Sequence, residues 1–251
     1  MNHLVNTTLA DVQARYLHPA LRQHIPGIAA LAEIGQMMDW DVDAMLAYTT
    51  KHVHVLAAWR WLTSRQVAPG VFDIPYYSEE FCDQLLLELQ DKEFARNEME
   101  DVNFQIEELV LGNELPDLFE TCETLFAVAM QPVLALLFSQ DDSDLTSIQA
   151  AKYNPEEVSH GNWHFDQDSD HTVVVSLNPN DFKGGGTELR TGPFTVQYIP
   201  PLPKGHALLF MGRTTLHRGL YVEEGDRMLL VHWTVASGHK YYNEEDSCTL
   251  H

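Results

Sequence analysis

Cysteine is scarce in this sequence, with three residues at positions 82, 122 and 248 of 251. An odd and scattered set offers no pairing pattern, which argues against a disulfide framework and favours a reducing compartment. The first twenty residues lack both a basic start and an apolar stretch, so no secretory signal is visible. We therefore expect a cytoplasmic protein.

Positive charge is also scarce, because 15 Lys and Arg face 37 Asp and Glu for a formal net charge of −22. Affinity for nucleic acid depends on clustered Lys and Arg, and anionic membranes attract the same residues. We therefore expect no nucleic-acid partner, which disfavours a nucleic-acid demethylase, and no membrane. A basic partner suits this surface better, although solubility alone also explains it.

Long hydrophobic runs are missing as well. The longest apolar stretch, Leu125 to Phe138, is too short to span a bilayer and contains Pro132. We predict that this stretch is part of a buried helix.

The order of the remaining patterns indicates an α+β fold. Residues 1–68 carry apolar side chains at helical spacing and predict a helical N-terminal extension, which leaves 69–251 as the main domain. From about 147 to 236, short strands alternate with turn signals rich in Gly, Pro, Asn and Asp. This spacing predicts a double-stranded β-helix, or jelly-roll, core with supporting helices.

The stretch "GNWHFDQDSDH" contains the first candidate metal ligands. We place His164 and Asp166 on one predicted strand, where residues two apart point to the same face. His217 follows His164 by 53 residues and completes a set of two histidines and one carboxylate. Such a set with open positions is typical of non-haem Fe(II) oxygenases. Because the chain has 13 histidines, chance also produces this pattern.

Arg227 makes the metal hypothesis more specific. It begins the predicted strand "RMLLVHWT" and shares one face with Leu229 and Val231. An arginine on an apolar face is costly unless an anion meets it, and a bidentate guanidinium–carboxylate pair provides that partner. The charges of Fe(II), Asp166, a bound oxo-diacid and Arg227 then cancel.

These motifs, taken together, resemble the 2-oxoglutarate- and Fe(II)-dependent oxygenases of the prolyl/lysyl hydroxylase superfamily. The resemblance is closest to the catalytic domain of procollagen lysyl hydroxylases and covers about two thirds of the chain, roughly residues 70–236. The matching stretches occur in family order: "VFDIPYYSEEFCDQLLLELQ", "AAKYNPEE", "HFDQDSDHTVVVSLN", "DFKGGGTELR", "PKGHALLFMGRTTLHRGL" and "EEGDRMLLVHW".

The resemblance assigns roles to the candidate residues. It implies that His164, Asp166 and His217 bind iron and that Arg227 pairs with the distal carboxylate of 2-oxoglutarate. Tyr153 stands where relatives use a tyrosine to help hold this co-substrate.

Two positions and one region qualify the resemblance. Ser176 and Val231 occupy positions where relatives often place hydroxyl-bearing co-substrate contacts, and Val231 cannot donate a hydrogen bond. The helical N-terminal extension has no counterpart in the family. Covering the pocket mouth, forming a homodimer or binding a partner are its open roles.

The implied activity is hydroxylation of an unactivated C–H bond with O2 and 2-oxoglutarate, and the resemblance admits ascorbate as a further cofactor. A lysine or proline side chain in a protein or peptide is the expected substrate, and the acidic surface favours a basic one. The alternative is a free amino acid or another small molecule. A non-catalytic metal-binding interaction protein on the same fold is the alternative from another class.

Overall fold

The computed structural model of the protein describes residues 8–96, 98, 101–139 and 143–236. Within these ranges the helices are α1 (Leu9–Tyr16), α2 (Pro19–Arg22), α3 (Ile25–Met37), α4 (Val42–Lys51), α5 (Val53–Thr63), α6 (Glu79–Leu89), α7 (Leu111–Glu114), α8 (Pro116–Leu125) and α9 (Gln131–Phe138). The strands are β1 (Gln66–Ala68), β2 (Val71–Pro75), β3 (Ala95–Arg96), β4 (Glu107–Val110), β5 (Ser143–Tyr153), β6 (His171–Ser176), β7 (Lys183–Gly184), β8 (Thr187–Gly192), β9 (Thr195–Ile199), β10 (His206–Met211), β11 (His217–Gly219), β12 (Val222–Glu224) and β13 (Arg227–Ala236).

Local capping explains where several helices begin. Asp41 accepts a hydrogen bond from the backbone N–H of Ala44 at the start of α4, and Ser78 accepts one from Phe81 at the start of α6. Each side chain satisfies a backbone donor that has no partner inside its helix. Asp41 and Ser78 are therefore the N-caps of α4 and α6.

The main sheet is antiparallel and has the order β1-β2-β10-β6-β13-β5-β4-β3. Its outer face packs against the helices in one core that includes Leu62, Tyr77, Leu125 and Leu230. Because side chains alternate along a strand, the neighbours of Leu230 on β13, Leu229 and Val231, point to the opposite face. That inner face lines a pocket.

A smaller sheet, β11-β8-β9, covers the inner face of the main sheet. Leu189 and Ile199 from the small sheet share a second core cluster with Leu208 and Phe210 from β10. Two packed antiparallel sheets with helices on one side form the predicted α+β jelly roll, which is confirmed.

The apolar stretch near residue 130 forms one continuous helical segment. A π-helical turn at Phe126–Met130 joins α8 to α9. The combined helix, Pro116–Phe138, is long and apolar enough by length and composition to cross a membrane, and half of its most apolar part is buried inside the protein. Core helices of soluble proteins have the same properties. The Leu125–Phe138 stretch packs into the main core, as predicted.

The N-terminal helices are not separated from the rest. Tyr16, Leu21, Ile28 and Leu62 belong to the same core as residues of the main sheet. The division of the chain at residue 68 therefore stays a prediction. The jelly-roll strand β5 begins at Ser143, which is four residues before the start predicted at about residue 147.

One strand prediction was wrong. Residues 161–166 do not form a regular strand; His164 makes a single antiparallel bridge to His217. The backbone N–H of each histidine donates to the other's carbonyl at 3.0 Å, and then Asp166 donates instead to Gly212 at 3.1 Å. The ladder stops after one residue pair because the chain turns away towards a different partner.

Candidate metal centre and co-substrate pocket

The three predicted metal ligands meet at one point of the structure. The imidazole Nε2 of His164 lies 3.4 Å from Asp166 Oδ1, and that of His217 lies 3.7 Å from Asp166 Oδ2. One ligand atom from each residue lies within 4.8 Å of the others, so the set can hold a metal ion. The single bridge between residues 164 and 217 brings the two histidines side by side.

Main-chain contacts fix the orientation of both imidazoles. His164 Nδ1 lies 2.9 Å from the carbonyl oxygen of Asn162, and His217 Nδ1 lies 2.9 Å from that of Thr215. A carbonyl oxygen cannot donate, so each Nδ1 carries a proton, and the neutral form of each ring then has its lone pair on Nε2. Such outer contacts set the tautomer of metal-binding histidines. Both Nε2 atoms are therefore ready to bind a metal.

Asp166 is held by a hydroxyl from the main sheet. Thr172 Oγ1 donates to Asp166 Oδ2 at 2.6 Å, and both residues are buried. Burial raises the pKa of the Asp166 carboxyl, but the contacts with His164, His217 and Thr172 outweigh it and leave the pKa below its ordinary value. The carboxylate is therefore ionised at neutral pH.

Burial has the opposite effect on the third ligand. It lowers the pKa of His217, and the nearby Asp166 charge only partly offsets this change. The imidazole is thus neutral at physiological pH. Two neutral nitrogens and one carboxylate suit a divalent first-row metal such as Fe(II).

The metal centre opens into a cavity of about 110 Å³ between the two sheets. Its lining includes His164, Asp166 and His217 as well as Arg227 and Tyr153. All five predicted site residues therefore lie around one cavity.

Arg227 is buried, with 4% of its surface exposed. Its Nη1 donates to the carbonyl oxygen of Gly186 at 2.9 Å, and no carboxylate pairs with it among the described residues. Burial lowers the pKa of the guanidinium, while Tyr153 and Tyr198 oppose this change. A buried cation without an acidic partner is costly and provides a binding site for an anion.

The glycine run 184–186 brings its backbone close to Arg227. Gly186 has φ +99°, and a Cβ there would lie 2.7 Å from the carbonyl oxygen of Ile199. A Cβ on Gly185 would lie 3.3 Å from Arg227 Cδ. Only glycine combines this backbone conformation with such close contacts.

Tyr153 lies directly opposite Arg227 in the pairing of β5 with β13. The guanidinium carbon lies 5.5 Å from the centre of the Tyr153 ring, within the range of a cation–π contact. Ser176 and Arg227 line a small recess at this end of the cavity, and Val231 lines the main cavity.

Sequence reasoning missed three polar residues of the site. Thr172 holds Asp166, while Gln149 and Glu108 line the cavity on β5 and β4. Alternation along "HTVVVS" places Thr172 on the same face as Ser176, so this pattern offered a signal. Glu108 belongs to an acidic region without clear periodicity and offered none.

The chain continues from the metal ligands into β6. His171 begins β6 and is 2% exposed. Burial lowers its pKa to about 4. Asp170 accepts a hydrogen bond from the backbone N–H of Ala236 at 2.7 Å, which anchors the end of β13.

No protein-family model matches the sequence. The fold is that of the 2-oxoglutarate/Fe(II) oxygenases. An oxidoreductase of that family from Burkholderia pseudomallei matches with a TM-score of 0.57 and 14% identity, over 70% of this chain and 89% of that one. SnoN, a non-haem α-ketoglutarate-dependent epimerase from nogalamycin biosynthesis, matches with a TM-score of 0.53 and 15% identity, over 71% and 83%.

A sequence relative points to a narrower group. Over 180 residues the chain is 27% identical to a multifunctional procollagen lysine hydroxylase and glycosyltransferase of Caenorhabditis elegans. The match covers 66% of this chain and 24% of the relative, so the chain spans about a quarter of that protein. The predicted fold and the predicted similarity to a procollagen lysyl hydroxylase are confirmed.

Proposed function

We propose that the protein is an Fe(II)- and 2-oxoglutarate-dependent dioxygenase that hydroxylates an unactivated C–H bond. One observation carries the proposal: the metal centre shares its cavity with Arg227, a buried cation that no described carboxylate neutralises. This arrangement fits a co-substrate that chelates the metal at one end and carries a free carboxylate at the other.

Each residue has a defined part in this proposal. His164, Asp166 and His217 hold Fe(II), while Arg227 and Tyr153 hold the distal carboxylate of 2-oxoglutarate. Iron with bound 2-oxoglutarate supplies O2 activation for C–H hydroxylation, with succinate and CO2 as products and ascorbate as an accessory reductant. The protein fixes the ligands, aligns the co-substrate along the cavity and limits access of water with apolar side chains of the main sheet such as Phe210, Leu229 and Val231.

The proposed substrate is a lysine or proline side chain in a protein or peptide. The relative named as a procollagen lysine hydroxylase supports lysine. The excess of acidic residues, 37 against 15 basic ones, also favours a basic partner. A free amino acid is the alternative within the same chemistry.

Glu108 gives a local reason to prefer lysine. On β4 the neighbouring Glu107 faces away and lies 2.9 Å from Lys152, whereas Glu108 lines the cavity. A carboxylate in the cavity wall can form an ion pair with the ammonium group of a lysine substrate, whereas the ring of proline carries no charge for it to bind. Glu108→Gln should therefore weaken binding of lysine peptides more than that of proline peptides, and Glu107→Gln is the matched control.

The enzymatic proposal is tested by succinate formation from 2-oxoglutarate. Protein purified without O2 receives Fe(II), then O2, and pools of lysine peptides, proline peptides and free amino acids. We expect turnover that His217→Ala abolishes and that His54→Ala, a change of an exposed histidine, leaves intact. Stoichiometric iron without any 2-oxoglutarate binding or turnover would instead indicate a non-catalytic metal-binding interaction protein.

The cellular setting is part of the proposal. Cys82 and Cys122 are free and buried, which supports a reducing, cytoplasmic location. The charge balance supports the absence of nucleic-acid and membrane partners. A homodimer through the N-terminal helices is tested by light scattering of the intact chain.

A further inference from the structure

A row of three side chains crosses the inner face of the main sheet in the middle of the cavity. Val231 on β13 lies directly opposite Gln149 on β5 and Val174 on β6. All three line the cavity. Adjacent strands lie about 4.8 Å apart, so the Gln149 amide reaches the space above Val231.

This row lies between the two ends of the site. Thr172, which holds Asp166, is two residues from Val174 on β6. Arg227 is four residues from Val231 on β13, roughly 13 Å along the strand. A ligand that extends from the metal centre to Arg227 therefore crosses the row.

Gln149 is the polar member of a row that is otherwise made of two valines. Its side-chain amide makes no hydrogen bond within the part of the chain that the structure describes, and it is partly buried. A partly buried amide in an apolar wall is unfavourable unless it finds a hydrogen-bonding partner. The partner must come from a ligand or water in the cavity.

We propose that Gln149 is a co-substrate-binding residue whose amide donates a hydrogen bond to 2-oxoglutarate from β5. It supplies from one strand the contact that Val231, on the neighbouring strand, cannot make. This inference rests on the proposed function, because it takes 2-oxoglutarate as the ligand of the cavity. It adds a residue of this chain that the sequence motifs do not include.

The test measures 2-oxoglutarate binding by calorimetry in Mn(II)-loaded protein, which does not depend on turnover. Gln149→Leu removes the amide and keeps the approximate size of the side chain. We expect it to weaken 2-oxoglutarate binding roughly 10- to 100-fold, as for the loss of a hydrogen bond to a charged ligand. Gln197→Leu, a change of an exposed glutamine on β9, should leave the affinity unchanged.

A second substitution separates binding from structure. Val231→Thr in the Gln149→Leu background places a hydroxyl in the same row, and it should recover most of the lost affinity. Mn(II) affinity, measured by electron paramagnetic resonance, should be equal in all variants.

Three results would overturn the inference. They are wild-type affinity in Gln149→Leu, a parallel loss of Mn(II) binding, or no recovery with the added hydroxyl. Failure of the wild-type protein to bind 2-oxoglutarate at all would refute the proposed function itself, which distinguishes the two failures.

Discussion

Replacing Thr172 with valine should weaken metal binding although the residue does not contact the metal. The Thr172 hydroxyl donates to Asp166 Oδ2 at 2.6 Å, and the side chain is 1% exposed. Valine has nearly the same shape, so Thr172→Val removes the hydrogen bond and changes the packing little. The Asp166 carboxylate then loses one of the contacts that oppose the effect of burial on its pKa.

The size of the effect follows from the contact. A hydrogen bond to a charged group contributes roughly 1.5–3 kcal/mol, and every 1.4 kcal/mol changes an equilibrium tenfold. Loss of an outer contact of a metal ligand typically reduces affinity about 10- to 100-fold. Both lines of reasoning predict a 10- to 100-fold weaker metal site, because the carboxylate becomes easier to protonate and loses its fixed orientation.

The assay is Mn(II) binding followed by electron paramagnetic resonance at pH 7, with Fe(II) binding measured in parallel by anaerobic equilibrium dialysis. Thr234→Val is the matched control, because Thr234 is equally buried on the same sheet and donates to the backbone carbonyl of His171 at 2.9 Å. Both variants should lose similar stability, but only Thr172→Val should lose metal affinity. Equal metal affinity in the two variants would refute the reasoning.

Three further perturbations have defined outcomes. Arg227→Met should abolish detectable 2-oxoglutarate binding and raise the midpoint of thermal unfolding, since it removes a buried cation that has no described carboxylate partner. Gly186→Ala should destabilise the protein by about 2 kcal/mol or more in urea unfolding, because of φ +99° and the 2.7 Å approach to a carbonyl oxygen. Stability should fall between pH 6.5 and about 4, because burial lowers the pKa of His232 from 6.5 to about 4 in the folded state. Below pH 6.5 the unfolded chain therefore binds one more proton than the folded chain. This difference lowers the free energy of unfolding by on the order of 2 kcal/mol at pH 5 and leaves it unchanged above pH 7.

Two of these outcomes have a control variant. Gly112→Ala meets only Phe119, at 3.9 Å, and should be tolerated. His232→Gln should reduce the pH dependence of unfolding between pH 7 and 5. An unchanged slope there, tight 2-oxoglutarate binding by Arg227→Met, or equal stabilities of the two glycine variants would contradict the respective argument.

The sequence alone predicted those candidate site residues whose side-chain chemistry is itself the signal. His164, Asp166 and His217 are separated by up to 53 residues, and the set became specific only together with Arg227 and the family motifs around it. Arg227 was recognisable because a charge on an apolar strand face requires an explanation. The jelly-roll strands were found because alternation and turn residues mark each of them locally.

The remaining parts depend on pairing between distant strands, which no local pattern encodes. Gln149 and Val231 become neighbours only through the register of β5 and β13. Residues 161–166 alternate like a strand, but the ladder ends after His164 because Asp166 bonds to Gly212. Strand β4 was not predicted either. Its adjacent residues Glu107 and Glu108 are both acidic, so no alternation of polar and apolar side chains shows which face of the strand points inward.

The acceptors that orient the two metal-binding imidazoles are main-chain atoms, the carbonyls of Asn162 and Thr215. Evolution can therefore replace the side chains at both positions without disturbing the histidine tautomers. Aligned sequences would show variable residues two positions before the invariant histidines, although the main-chain carbonyls of those variable residues orient the imidazole rings. The conformational freedom of each ring is lost when the chain folds, so a metal ion entering the site meets ligands that are already arranged for it.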